Sequence, residues 1–578
     1  MWLPVSSSLD GMPAASRGAS PADIATGQQS VPGSPTGTKE TRETMRKFLL
    51  IFAFFFVVLP IRATDLYIAQ TATGGSTGAD CSDALPYTFF NKSSNWPSPI
   101  GPGTTVHICG TITAPAGAGA FLTFQGSGVS GNPITLKFEN GAVLAAPYFA
   151  GTGAINTGGH NYITIDGNNL QGTIENTLSG TSGAACLGGP CAFQPDYSYG
   201  IYCLMGGSNL TIQNLNIIDM YIHASASDEN GQDSYGINCG NGNNIVISGN
   251  VIHDMKWAIS AGVGGGTWAG FQVSGNTISN ADHGVYFNVG GGSEQGPVNI
   301  FGNDIQCGSN WDDAAGGNHH DNIHISAVAG INTLLGVSIY NNYLHGDPGA
   351  NTTSYFFTFP DAGDEGPINI FNNVFVDTSA TNFTTNGFVR CVTAVCNFYN
   401  NTTFAVANNN GQGQPNAGET DVAGSTRYNN IIVGATGIGF INGGPNTADY
   451  NNFYQCCGNS PKMSSIGVGD IGGIVFYTSL PAWQTAGFDA HGTVGNPLLN
   501  SSSNPPYQLT SSKSAAWQTG KNLTSMCSGQ PNPGLGALCF DKLGVARPAT
   551  GPWDMGAYAS SASASAPPAP TGLSALVQ

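Results

Sequence analysis

Two stretches of this chain are nearly the same sentence: GPVNIFGNDI (Gly296 to Ile305) and GPINIFNNVF (Gly366 to Phe375). Each opens on a Gly-Pro turn, alternates apolar with polar residues, turns at an Asn and resumes with apolar residues. The unit recurs with drift as NLTIQNLNI, NIVISGNVI, FQVSGNTIS, GVSIYNNYL and CNFYNNTTF. Its corner asparagines are Asn214, Asn250, Asn276, Asn303, Asn342, Asn373 and Asn401, at intervals of 26 to 39 residues. Alternation of period two marks strands with one buried face. Asparagine tolerates the left-handed conformation of a sharp corner, and stacked amides can bond along a ladder. Repetition at this period predicts a solenoid, each coil burying its inner face against its neighbours.

A second strand precedes each unit and repeats in turn: YGIYCL, YGINCG, WAISAG, HGVYFN, DNIHIS and NGFVRC, from Tyr199 to Cys391. One coil is therefore strand, Gly-rich turn, strand, Asn corner, strand and a longer loop. No stretch of helical period has useful length. The pattern resembles the right-handed parallel β-helix of the pectate-lyase-like superfamily over roughly residues 65–558. The fold class this implies is all-β, a single-stranded right-handed parallel β-helix (solenoid) with an N-terminal signal segment and a short C-terminal tail. The resemblance is specific for fold and leaves the activity open.

Composition fits a stacked sheet surface. Glycine is 82 of 578 residues and charged residues are 9%, against norms of about 7% and about 25%. A net charge of -18, from 16 basic and 34 acidic residues, excludes nucleic acid and anionic membrane as the natural partners. A monomer is expected.

In chain order, residues 1–44 lack periodicity and read as disordered or an over-extended start. Residues 45–63, MRKFLLIFAFFFVVLPIRA, have signal-peptide architecture: Arg46 and Lys47, an apolar run from Phe48 to Leu59, and Ala63 at the cleavage position. The run falls short of the ~20 residues of a membrane span. Met45 is the expected start and an uncleaved anchor the alternative. Residues 64–148 read as an N-terminal cap with the first coils, 149–494 as the β-helix, and 495–558 as a closing segment. The closing DMGAY (Asp554 to Tyr558) is similar to the end of many secreted β-helix proteins. Residues 559–578 are a linker and the truncated start of a fibronectin-III-like module. The expected location is outside the cell or on its surface.

The 13 cysteines fit an oxidising compartment. Local pairs are Cys186 with Cys191, Cys391 with Cys396, Cys527 with Cys539, and Cys81 with Cys109. Cys203 and Cys239 share a position in successive coils and either stack as thiols or pair. Cys456 and Cys457 are unassigned. No cysteine-histidine spacing marks zinc.

Ionisable side chains are densest in WDDAAGGNHHDNIH (Trp311 to His324). The candidate catalytic residues are Asp282, Asp312, Asp313, His320, Asp321 and His324. The candidate sugar-binding residues are Tyr286, Trp311 and His283. Equivalent outward positions stack about 4.8 Å apart, and Asn238, Ser260, Tyr286 and His324 fall in one column. Alternation puts His320 and His324 on one side and Asp321 on the other, unless the preceding turn twists it outward. Such a patch suits acid/base chemistry; a self-satisfied polar ladder is the competing reading.

Three functions compete. A β-eliminating lyase needs a base and a cation. Lys256 and Arg390 lie four coils apart, roughly 19 Å, so a lyase would use His or Tyr with calcium on Asp312 and Asp313, the one cofactor the sequence suggests. A glycoside hydrolase needs two carboxylates, drawn from Asp312 or Asp313 opposite Asp282 or Asp321, at about 5 to 9.5 Å. A non-catalytic surface or adhesion module would only bind glycans. Scarcity of cations tips the balance to hydrolysis of an extracellular polysaccharide. Asp364 and Glu365, which align with Glu294 and Gln295, are a second calcium candidate against a solvated turn.

Overall fold

Strands of four residues with alternating burial, such as Ile163–Asp166, Leu210–Gln213 and Ile245–Ser248, stack in parallel with one-to-one register. Isoleucine falls on isoleucine: Ile165, Ile212, Ile247, Val273, Ile300, Ile339 and Ile370 pair in one continuous column. All are at most 1% exposed. β-Branched side chains suit this pleated, stacked surface, and the column is the inner wall of the solenoid.

A computed structural model of the chain describes residues 65–178, 197–221, 233–263, 269–289, 296–308, 311, 319–327, 336–347, 349, 353–360, 367–378, 388–391, 394–405, 416–420, 424–434, 439–442, 447–455, 466–468, 475–477 and 479–560. Residues Ile61–Gln578 form one compact unit; all of Met1–Pro60 lies outside the described residues. Among the described residues, one sheet has 14 strands and another 22, paired in parallel from coil to coil. The larger sheet unites two stacks, because Val251–Val263 and Thr277–Val289 each run through a corner without a break. The chain is a right-handed parallel β-helix. The expected signal segment, residues 561–578 of the expected C-terminal tail, Cys186, Cys191, Cys456, Cys457, Glu294, Gln295, Asp364 and Glu365 lie outside the described residues.

The asparagine ladder exists, with its register corrected by one residue. Asn250, Asn276, Asn303, Asn342, Asn373, Asn401, Asn430 and Asn451 form one chain of amides. The backbone N–H and Nδ2 of each donate to Oδ1 of the next at 2.9 to 3.1 Å. Asp489 ends the row, its Oδ1 accepting from Asn451 N at 3.0 Å and Nδ2 at 2.8 Å. The left-handed residue is not the ladder asparagine but the one before it: Gly249, Gly275, Gly302, Asn341, Asn372, Asn400 and Asn429, with φ of 53 to 66°. Asn214, at φ 58°, belongs to that second row, and Leu215 occupies the ladder position, its N–H donating to Asn250 Oδ1.

Among the described residues four disulfides are formed: Cys81–Cys109, Cys203–Cys239, Cys391–Cys396 and Cys527–Cys539. The segment after residue 500 does more than close one end. It runs back along the left-handed row, where Asn372 donates to Phe540 O, Asn400 to Asp554 O and Asn429 to Lys521 O. Trp553, Leu523 and Leu538 pack there against Tyr340, Phe371 and Tyr399.

Candidate functional site

The strands that follow the second corner share a local grammar. Each contains a Gly, Ala or Asn followed by an aliphatic residue, both buried: Gly200-Ile201, Gly236-Ile237, Ala258-Ile259, Gly284-Val285 and Asn322-Ile323. A Cβ on Gly284 would lie 2.5 Å from Asn322 O and 2.7 Å from Ile305 Cγ2, so glycine there is a steric requirement. Two inward residues in succession interrupt the alternation of a flat strand. The residue before the pair and the residue after it then share a side: Trp257 with Ser260, His283 with Tyr286, Asp321 with His324. This corrects the placement of Asp321, which alternation had set opposite His324.

Register builds a patch from these pairs. Asn238, Ser260, Tyr286 and His324 stand in one column, as their spacing predicts, and Phe357 continues it. Trp257, His283 and Asp321 form the next column. The indole of Trp257 stacks on the His283 ring at 4.2 Å, His283 stacks on His324 at 5.3 Å, and Phe357 lies 5.0 Å beyond. The Tyr286 hydroxyl is 2.9 Å from Ser326 Oγ.

Two carboxylates organise the imidazoles. Asp282, buried, accepts from His283 Nδ1 at 2.7 Å and from His320 Nδ1 at 3.0 Å; an ionised carboxylate only accepts, so both protons sit on Nδ1. Burial pushes Asp282 up, but His283 and His320 outweigh it and hold the carboxyl below the usual range. Asp321, also buried, faces His319 Nδ1 at 2.8 Å, His324 Nδ1 at 3.7 Å and His283 Nε2 at 3.8 Å. Its burial wins over these neighbours and raises it. His324 is driven well below the ordinary imidazole value by burial, with His283 and His319 adding to the effect. Its Nδ1 is 3.2 Å from His283 Nε2, and its Nε2 is buried without a hydrogen bond among the described residues. His319 is the open member, its side chain 43% exposed; burial lowers it and the Asp321 bond more than offsets that.

The structure thus gathers Asp282, His283, Tyr286, His320, Asp321 and His324, and adds two residues the sequence reading did not single out. His319 was masked by its neighbour His320, and Trp257 is found only by pairing WAISAG with HGVYFN. Trp311 is corrected: it is 1% exposed, lies against Tyr221, and donates to Asn280 O, so its ring offers no platform to a sugar. Asp312 and Asp313, with the calcium they were expected to hold, lie outside the described residues. Lys256, one coil away, is 3.7 Å from Asp233. A smaller group, Asp219, His253 and Asp254, sits half-buried at the corner of nearby coils; burial and then Asp254 push Asp219 up to about 6.

No protein-family model and no curated protein matches the sequence. Among solved structures, the chain is similar to pectate lyase Pel9A, with 13% identity and a TM-score of 0.38, over 86% of this chain and 96% of that one. It is also similar to the A-module of Azotobacter vinelandii mannuronan C-5 epimerase AlgE4, with 11% identity and a TM-score of 0.26, over 59% and 88%. Likeness of this degree carries no residue correspondence and no argument about chemistry. Among the described residues no helix is long and apolar enough to cross a membrane.

Proposed function

We propose that the protein is exported and acts on an extracellular polysaccharide at the patch formed by His283, Tyr286, His319, Asp321 and His324, cleaving the chain by elimination. One observation carries this reading: proton-handling groups from two adjacent coils converge on one side of the sheet, flanked by the aromatic rings of Trp257 and Phe357. Such groups cost stability to bury together, and a solenoid wall does not need them.

The burial of the carboxylates supports elimination over hydrolysis. Hydrolysis requires two carboxyl groups presented to the sugar. Asp282 and Asp321 are at most 2% exposed and lie behind imidazoles that they orient. Among the described residues, what the patch offers a sugar is imidazole and phenol, groups that take and return protons. We weigh this above the scarcity of cations, which favoured hydrolysis slightly. The four disulfides suit an oxidising compartment.

The test is a panel of acidic and neutral polysaccharides incubated with the secreted protein, read for reducing ends and for absorbance of unsaturated products. Unsaturated ends that vanish in His319→Ala and Tyr286→Phe, with the far-ultraviolet spectrum unchanged, are expected. Reducing ends without unsaturation would refute elimination, and neither product would refute catalysis.

A further inference from the structure

We infer that His283, His319, Asp321 and His324 form a binding site for a single divalent transition-metal ion of the zinc class. The geometry comes first. His283 Nε2, His324 Nδ1 and Asp321 Oδ2 make a near-equilateral triangle with sides of 3.2, 3.7 and 3.8 Å. Ligand atoms about 2.0 to 2.1 Å from a tetrahedral ion stand roughly 3.3 Å apart, so the triangle is one slightly open face of such a site. His319 supplies the fourth corner, and one donor atom from each of the four residues lies within 4.8 Å of the others.

The surroundings of the triangle point the same way. His283 is held by Asp282, whose Oδ2 accepts the Nδ1 proton at 2.7 Å; that fixes the tautomer and leaves the Nε2 lone pair aimed at the triangle. A carboxylate behind a ligating imidazole is the usual support of a metal-bound histidine. His324 turns Nδ1 to the same point, although its Nε2 is then buried without a hydrogen bond among the described residues. Asp321 has a side chain 0% exposed, and the imidazoles around it are neutral unless protonated. A divalent ion supplies the charge that a buried carboxylate otherwise lacks. Trp257 and Phe357 wall the site with apolar rings.

The donor set selects the ion. Three imidazoles and one carboxylate suit zinc, cobalt, nickel, iron or copper; calcium and magnesium take oxygen. The sequence hides this site, because its ligands come from two coils and His283 is 36 residues from His319 along the chain. The inference rests on the same side chains as the glycan reading: an ion held there takes the imidazole lone pairs and leaves proton transfer to Tyr286, and because metal binding is read without any sugar, either reading can fail alone.

The experiment is a titration of the metal-stripped, full-length secreted protein with Zn2+, with Co2+ as a visible-absorbing probe and Ca2+ as the comparison. One equivalent of Zn2+ per chain should bind, Co2+ should give the intense visible bands of a tetrahedral site, and Ca2+ should not compete. His283→Ala and His324→Ala should abolish the Co2+ bands, and Asp282→Asn should weaken zinc binding about 10- to 100-fold. His253→Ala, in the other group, should change nothing. Should the buried variants fail to fold, half-exposed His319→Ala gives the same reading: a clear loss of zinc affinity with an unchanged far-ultraviolet spectrum. Absence of binding by the intact protein, Co2+ bands that survive in the folded variants, or displacement of zinc by Ca2+ would each overturn the inference.

Discussion

Replacing Asn303 by leucine tests the physical basis of the fold. The Asn303 side chain is 1% exposed and takes part in four hydrogen bonds. Its Oδ1 accepts from the backbone N–H and from Nδ2 of Asn276, each at 3.0 Å; its Nδ2 donates to Val273 O at 3.0 Å and Asn342 Oδ1 at 2.9 Å. Leucine strands the Asn276 N–H and one Asn276 Nδ2 proton, while Asn342 Oδ1 keeps the N–H of residue 303. Two buried polar groups without partners, at about 1 to 2 kcal/mol each, make the expected loss roughly 2 to 4 kcal/mol. Glycine at 303 removes the same amide and gains nothing from its backbone freedom, because Gly302 is the left-handed residue at φ 64°; water entering the gap makes it only somewhat milder. The control is Gly302→Asn, since Asn341, Asn372 and Asn400 hold that conformation in later coils and a Cβ at 302 meets nothing nearer than 3.9 Å. It should cost under about 1 kcal/mol. Urea midpoints for the three variants decide the matter: a neutral Asn303→Leu, or a Gly302→Asn as damaging as it, would refute the ladder as the element that holds the corners.

Two further outcomes follow from buried groups elsewhere. Burial pushes Asp489 up to about 6 despite its bonds to Trp483 and Asn451; a folded pKa above the unfolded value near 3.8 means that this group's contribution to stability is full below pH 4 and is lost as pH rises through about 6, by up to ~3 kcal/mol. Asp489→Asn should flatten that slope in denaturation midpoints taken from pH 4 to 7, and an unchanged slope would assign it to other groups. Gly284→Ala places a methyl 2.5 Å from a backbone carbonyl and should cost about 1 to 3 kcal/mol; a variant with an unchanged melting temperature would show that the strand does not need its two inward residues.

Much of the architecture was legible because the repeat writes it many times over. The aliphatic column and the Tyr286–His324 register follow from alternation alone. The left-handed corner was misplaced by one residue for a specific reason. Asn341-Asn342, Asn372-Asn373 and Asn400-Asn401 present the same side chain at both positions, and only Gly249, Gly275 and Gly302 reveal which position needs the positive φ. Asp321 was misplaced because strict alternation fails where Asn322 and Ile323 both turn inward. The burial of Trp311 had no periodic signal, since it stands between the strands Asp304–Gly308 and Asp321–Ala327 and not within one. Nor did the return of the C-terminal segment along Asn372, Asn400 and Asn429, because contacts more than 90 residues apart leave no local pattern.

The most direct test of the central claim is a crystal structure of the Tyr286→Phe variant soaked with an oligosaccharide of the polymer that the panel selects. The sugar is predicted to lie across two columns, one of Trp257, His283 and Asp321 and the other running from position 286 through His324 to Phe357. A ring carbon or hydroxyl should come within hydrogen-bonding reach of His319. An oligosaccharide bound on another face of the solenoid, with these side chains untouched, would contradict the account.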